Sequence, residues 1–258
     1  ENRPQAGGTV ATDAVAKAAP DGYTLLFASS SIVTNAAAGK KLPYDLVRDL
    51  EPIGVMGGGP FVVVVANDFK ATTLAEFVTI VRAKPGAVSY GSAGIGGISH
   101  LGTELLASVA TVQMLHVPYK GMAPAFTDLI AGNVQMLLPT LASAAQQIRG
   151  GRVRGLAVTG FARSPLAPEI PTVAEAGVPG AELEIWWGLL GPARMPAPVV
   201  KRLNDETNAI LALGEVRELL AREGATPRPG SPEALGALMR NDLARWSKLI
   251  RETKIAVE

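Results

Sequence analysis

Cysteine is absent from this chain of 258 residues. Disulfides, zinc–thiolate centres and cysteine nucleophiles are therefore excluded, and reducing and oxidising compartments both stay open. Histidine is nearly absent: His100 and His116 are the only two. His100 and Glu104 stand one helical turn apart, but no third ligand completes a metal site. A histidine that caps or packs at a helix start accounts for His100, and His116 reads as a structural strand residue beside Val117. No G-x-S-x-G elbow occurs, and no base and nucleophile can be paired. No apolar run approaches the roughly 20 residues that cross a bilayer; "FVVVVA", Phe61–Ala66, reads as a buried strand instead. Charge of one sign is not in excess. The formal net charge is +1, with no lysine/arginine block, which gives no electrostatic case for nucleic acid or for a membrane surface. No targeting leader is visible, and the opening "ENRPQAGGT" has no Met and no apolar region, so the start reads as cut.

What is present is alternation. "YTLLFAS", "FVVVVAN", "AVSYG", "VQMLHVPY", "VQMLL" and "VRGLAVT" read as strands. "TTLAEFVTIVRAKPG", "LGTELLASV", "PAFTDLIAG" and "ASAAQQIRGG" read as the helices between them. Leu74, Phe77, Val78 and Val81 share one helix face, as do Leu101, Leu105 and Val109. Such alternation predicts βαβ units and a largely parallel sheet. From Pro168 a proline- and glycine-rich stretch with a one-turn helix leads into a strand, "LEIWWGLLGP". Three helices follow, and the last opens on Ser231-Pro232-Glu233, an N-cap followed by proline at the first helical position. Trp186 and Trp187 alternate on their strand. Packing of both is the favoured reading; one ring facing a ligand is the other.

The stretch "YGSAGIGGISHL", Tyr90–Leu101, carries four glycines ahead of a helix. A strand that ends in small residues and opens a helix sets backbone N–H groups at the positive end of the helix dipole, which suits a small anion such as a carboxylate. Ser92 and Ser99 add hydroxyls. A tight strand-to-helix turn with no ligand fits the same spacing. The dinucleotide fingerprint fails, because Gly94-Ile95-Gly96-Gly97-Ile98-Ser99 lacks the last glycine. The phosphate loop fails as well, because no Gly-Lys-Ser/Thr follows.

That stretch, "HVPYKGMAPAFTDLIAGNVQ" and "RSPLAPEIPTVAEAGVPGAE" together resemble the Bug-type receptors of tripartite tricarboxylate transporters. "DGYTLLFASS", "KLPYDLVRDLEPIG" and "SPEALGALMRNDLARWSKLI" extend the likeness over almost the whole chain, in the family's order. The resemblance implies an α/β, type II periplasmic-binding-protein fold, with two α/β domains joined by crossing strands and a ligand cleft between them. Residues 1–66 and 186–258 would form the first domain and 67–185 the second. It implies a monomeric periplasmic receptor with no cofactor, which captures a small carboxylate and delivers it to membrane permease subunits. An enzyme on the same architecture and a ligand-sensing domain are the competing classes.

The site residues implied are Ser29, Ser30 and Ser31, joined by the loop Ala6–Thr9, from one domain. The other domain supplies Gly91, Ser92, Ala93, Gly94, Gly96, Gly97, Ser99, His100, Tyr119, Lys120 and Thr140, with Ser92 and the loop N–H groups clamping one carboxylate. Two departures stand out. Family members begin with a further strand, a loop and a helix, so this chain would expose Leu25 and Phe27 and be marginally stable or self-pairing. Where many members carry an acid after "VQMLL", this chain has Pro139-Thr140. A ligand without an ammonium group follows: a di- or tricarboxylate or an aromatic acid.

Overall fold

The computed structural model describes residues 1, 8–39, 41–222, 224–253 and 255. Two compact units emerge. One combines Glu1–Gly58 with Trp186–Glu252, and the other is built on Gly59–Ile185.

The second unit is organised around strand β3, Val62–Ala66. Val62 to Val65 are wholly buried, as a strand enclosed on both faces requires. A sheet of five strands runs in the order β5 (Leu115–Pro118), β4 (Ser89–Ser92), β6 (Met136–Leu137), β3 and β7 (Val153–Val158). β4 pairs in parallel with both β5 and β6, whereas β3 is antiparallel to both β6 and β7. The expected largely parallel sheet is thus a mixed one. The boundary expected at residue 66 also moves: β3 belongs to this unit, and the chain enters it at Gly58–Gly59, inside strand β2, Leu50–Pro60.

Each parallel strand is followed by a helix: α4 (Ile98–Ala110) after β4, α5 (Met122–Ile130) after β5 and α6 (Leu141–Arg149) after β6. Leu101 and Leu105 of α4 are buried, but Val109 is 38% exposed and does not share their face with the core. Helix α3, Leu74–Ala83, shows the local logic most clearly. Thr73 caps it and Glu76 returns the bond in a capping box, while Leu74, Phe77, Val78 and Val81 are buried. Thr73→Ala removes the acceptor for the Glu76 N–H and is expected to cost about 1 kcal/mol, read as a lower urea midpoint. An unchanged midpoint would show that the box carries no stability here.

The other unit holds a four-stranded sheet in the order β1 (Leu26–Ser29), β8 (Glu184–Pro192), β2 and β9 (Thr226–Pro227). β1 pairs antiparallel with β8 and β2 antiparallel with β9. The expected strand from Tyr23 is shorter, and on this edge Phe27 is 61% exposed while Leu25 is half-buried. Helices α1 (Thr9–Ala16), α2 (Ser31–Ala37), α7 (Ala197–Ala212), α8 (Gly214–Arg222) and α9 (Pro232–Thr253) complete the unit. At the start of α9 the Ala234 N–H donates to Ser231 Oγ at 3.3 Å, the cap that Ser-Pro-Glu predicts. Residues 173–177 form turns where a one-turn helix was expected.

Candidate functional site

Three helices of the second unit begin at one edge of its sheet, because β4, β5 and β6 all end there. β7, antiparallel to the same strand as β6, ends there too. An α/β sheet takes its ligands outside the carboxyl ends of its strands, and helix N-termini there favour an anion.

The turn from β4 into α4 is wired mostly inward. Ala93 N–H donates to Ser99 Oγ (3.0 Å), Gly94 N–H to Ser92 Oγ (3.2 Å) and Gly96 N–H to His100 Nδ1 (3.1 Å). Gly94 and Gly96 reach this path with φ of +139° and +72°, a region that side chains oppose. Gly97 caps α4 with no side chain. Among the described residues nothing accepts from the N–H groups of Ile95, Ile98 and Ser99. These are the donors left for an anion.

Beneath the turn lies a stack that follows from register. Tyr90 and His116 are partners across β4 and β5, and Ser92 lies two residues on, on the same face. Helix α4 returns over that face with His100 and Glu104 one turn apart. The His100 and His116 rings stack at 3.9 Å and 10°, and the Tyr90 ring lies beside the pair, 4.9 Å from His116 and 6.3 Å from His100. His116 Nε2 is 2.6 Å from Ser92 Oγ, and the Tyr90 hydroxyl donates to Glu104 Oε1 at 2.5 Å. Glu104 therefore serves Tyr90 and is not joined to His100 as half a metal site.

Burial sets the electrostatics. Both imidazoles are pushed down to about 4, His100 by burial and then by His116, and His116 by burial. Burial raises the Glu104 carboxyl despite the bond from Tyr90, and burial, then Glu104, raises the Tyr90 phenol. Other charges near these elements are engaged. Asp128 on α5 accepts from Tyr119 and Asn133, and Glu182, beside the Leu183 that packs on α4, accepts from Gly180.

A histidine whose folded pKa lies below its unfolded 6.5 binds fewer protons folded than unfolded. Its stabilising share is present above pH 6.5 and is lost as pH falls through about 4. The urea midpoint is expected to drop over that window, and to drop less in the H100N/H116N variant. Equal slopes in the two proteins would contradict neutral burial of the pair.

The residues expected at the site take the following places in the structure. Ser92, Ser99 and His100 are at most 3% exposed; they build the turn and do not present themselves to solvent. Gly91 has no room for a Cβ, which would meet Leu137 at 2.6 Å and the Tyr119 ring at 3.1 Å. The Tyr119 hydroxyl donates to Asp128 at 2.7 Å, Lys120 is exposed, and Thr140 caps α6.

Ser29, Ser30 and Ser31 belong to the other unit. The Ser29 hydroxyl donates to Ser31 Oγ (3.1 Å), and Ser30 is buried with its N–H on the Trp186 carbonyl. Of the loop at Ala6–Thr9, Ala6 and Gly7 lie outside the described residues, and Gly8 caps α1. Trp186 is 3% exposed and donates to Asp242 at 2.7 Å, so it packs; Trp187, half-buried, faces Ser29 across the strands.

Comparison with known proteins agrees with this architecture. The family model described as the tripartite tricarboxylate transporter family receptor matches residues 1–255. The "UPF0065 protein in tcbD-tcbE intergenic region" of Pseudomonas sp. strain P51 is 40% identical over 99% of this chain and 76% of its own length. Protein BugT of Bordetella pertussis is 34% identical over 98% of this chain and 78% of its own.

Among solved structures, R. palustris Rpa4515 with adipate superposes with a TM-score of 0.88 at 33% identity, over 96% of this chain and 84% of that one. MatC from Rhodopseudomonas palustris with bound malate gives 0.82 at 31% identity, over 95% and 85%. The family model describes a receptor, and further solved neighbours are a periplasmic transporter and the periplasmic binding protein BugD, not enzymes. The chain belongs to the Bug-type tripartite tricarboxylate transporter receptor family, as a periplasmic solute-binding receptor.

Proposed function

We propose that this receptor captures an amine-free di- or tricarboxylate, or an aromatic acid, in the periplasm and passes it to the permease subunits of its transporter. One carboxylate is held by the N–H groups of Ile95, Ile98 and Ser99, with the first turns of α5 and α6 adding positive potential at the same edge. The observation that carries this is the trio of N–H groups left without acceptors among the described residues where three helices begin. Two structural relatives, one with adipate and one with bound malate, support the ligand class. Ser29, Ser30 and Ser31 keep the ligand-binding role that the resemblance implies.

The turns that end β4, β5, β6 and β7 contain no Asp or Glu from 92 to 97, 119 to 121, 138 to 140 or 159 to 161. An ammonium group would find no counter-charge on them, which favours ligands without an amine. A thermal-shift screen over adipate, malate, citrate, benzoate, aspartate and glutamate tests the reading. A ligand at a hundredfold above its Kd stabilises by about 2.7 kcal/mol, enough to move the midpoint by several degrees. Amine-free acids are expected to give the largest shifts. A larger shift with aspartate or glutamate would point to Glu184, whose Oε1 lies 3.2 Å from where a Cβ on Gly160 would sit. No shift with any acid would overturn the carboxylate reading.

A further inference from the structure

We propose that His100 and His116 are positioning residues for the anion-binding turn: as a stacked pair they hold Gly96 and Ser92 so that the Ile95 N–H between them points outward. The inference rests on the carboxylate reading given above, and it assigns the two rings a task distinct from touching the ligand.

The geometry alternates. Gly94 N–H turns in to Ser92 Oγ, Ile95 N–H has no acceptor among the described residues, and Gly96 N–H turns in to His100 Nδ1. Two inward anchors thus bracket one outward donor. Each anchor is itself fixed. Ser92 Oγ lies 2.6 Å from His116 Nε2, and His116 lies flat against His100 at 3.9 Å. Tyr90 flanks the stack, 4.9 Å from His116 and 6.3 Å from His100, and is tied to Glu104, one turn along α4 from His100. The turn, the strand pair and the helix start are therefore locked to one another through two rings.

Because Gly96 N–H donates to it, Nδ1 of His100 holds a lone pair, and the neutral ring carries its proton on Nε2. A residue that merely filled space would not need an acceptor at that place. Asparagine offers an oxygen near the position of Nδ1, and leucine offers none.

The test compares wild type, H100N and H100L by calorimetry with adipate and with malate, and reads the imidazole nitrogens of the free wild-type protein by NMR. H100N is expected to keep affinity within about threefold. H100L is expected to weaken it roughly tenfold, the worth of one organised hydrogen bond. Wild-type affinity in H100L, or an H100N loss as large as that of H100L, would overturn the proposal. If H100L does not fold, H116Q and H116L make the same comparison at Ser92. The free-protein spectrum is expected to show His100 protonated on Nε2; protonation on Nδ1 would overturn the geometry with no ligand present. If neither adipate nor malate binds the wild type while the spectrum is as expected, the fault lies in the carboxylate reading and not in the wiring of the turn.

Discussion

Ala93→Asp is expected to weaken carboxylate binding on the order of a hundredfold while leaving the melting midpoint near that of the wild type. Ala93 is exposed at the front of the glycine turn, and its N–H is already spent on Ser99 Oγ. A side chain added there costs no core packing. It places a fixed negative charge beside the donors at Ile95, Ile98 and Ser99, where a ligand carboxylate would otherwise sit. Two like charges about 5 Å apart at an effective dielectric near 20 repel by about 3 kcal/mol, which is roughly a hundredfold in affinity. Ala93→Asn is the control, with similar size and no charge. Ser92 is the wrong place for this experiment although the sequence offers it first: it is wholly buried and bonded to His116, so an acid there would unfold the turn before it repelled anything. If A93D binds like A93N, the carboxylate does not sit at this turn.

Trp246→Ala is expected to cost about 3–5 kcal/mol, a large part of a domain's total margin of about 5–15 kcal/mol. Trp246 is 1% exposed on α9, among the largest fully buried side chains, and the Arg245 guanidinium lies 5.4 Å from its ring centroid. Its Nε1 has no hydrogen-bond partner among the described residues. The ring therefore acts through packing, and Trp246→Phe, which keeps most of that packing and loses no hydrogen bond, should cost much less. Urea unfolding of the two variants decides it. Equal losses would show that the indole N–H matters after all, and no loss in W246A would mean that α9 is not anchored through this residue.

Much of the fold is local and was legible as such. The four valines of β3, the Thr73–Glu76 box of α3 and the Ser231-Pro232 start of α9 each need only a few neighbouring residues to be read. β2 was not legible, since "LEPIGVMGGGP" carries the glycine and proline of a loop and is a strand only because β9 and its other neighbour pair with it. α1 and α2 are short helices of small residues, with too little periodicity to stand out. Strand direction is invisible to periodicity as well: nothing in "FVVVVA" says that it runs against β6 and β7.

The site divides in the same way. The bare glycines announced the turn itself, because conformational freedom is written in composition. The task of Ser92, His100 and His116 was hidden, because it depends on β4 and β5 pairing with Tyr90 opposite His116, a contact between residues far apart in the chain. The one available signal was that the two histidines stand at the start of α4 and on β5, the strand that follows it, which by itself does not specify a stack.

The most direct measurement of the central claim is an amide NMR titration of the labelled protein with the acid that gives the largest thermal shift. The account predicts that the Ile95, Ile98 and Ser99 N–H resonances move most and saturate with the same Kd as calorimetry. Saturating binding that leaves those three resonances in place, or a panel in which no carboxylate binds at all, would contradict it.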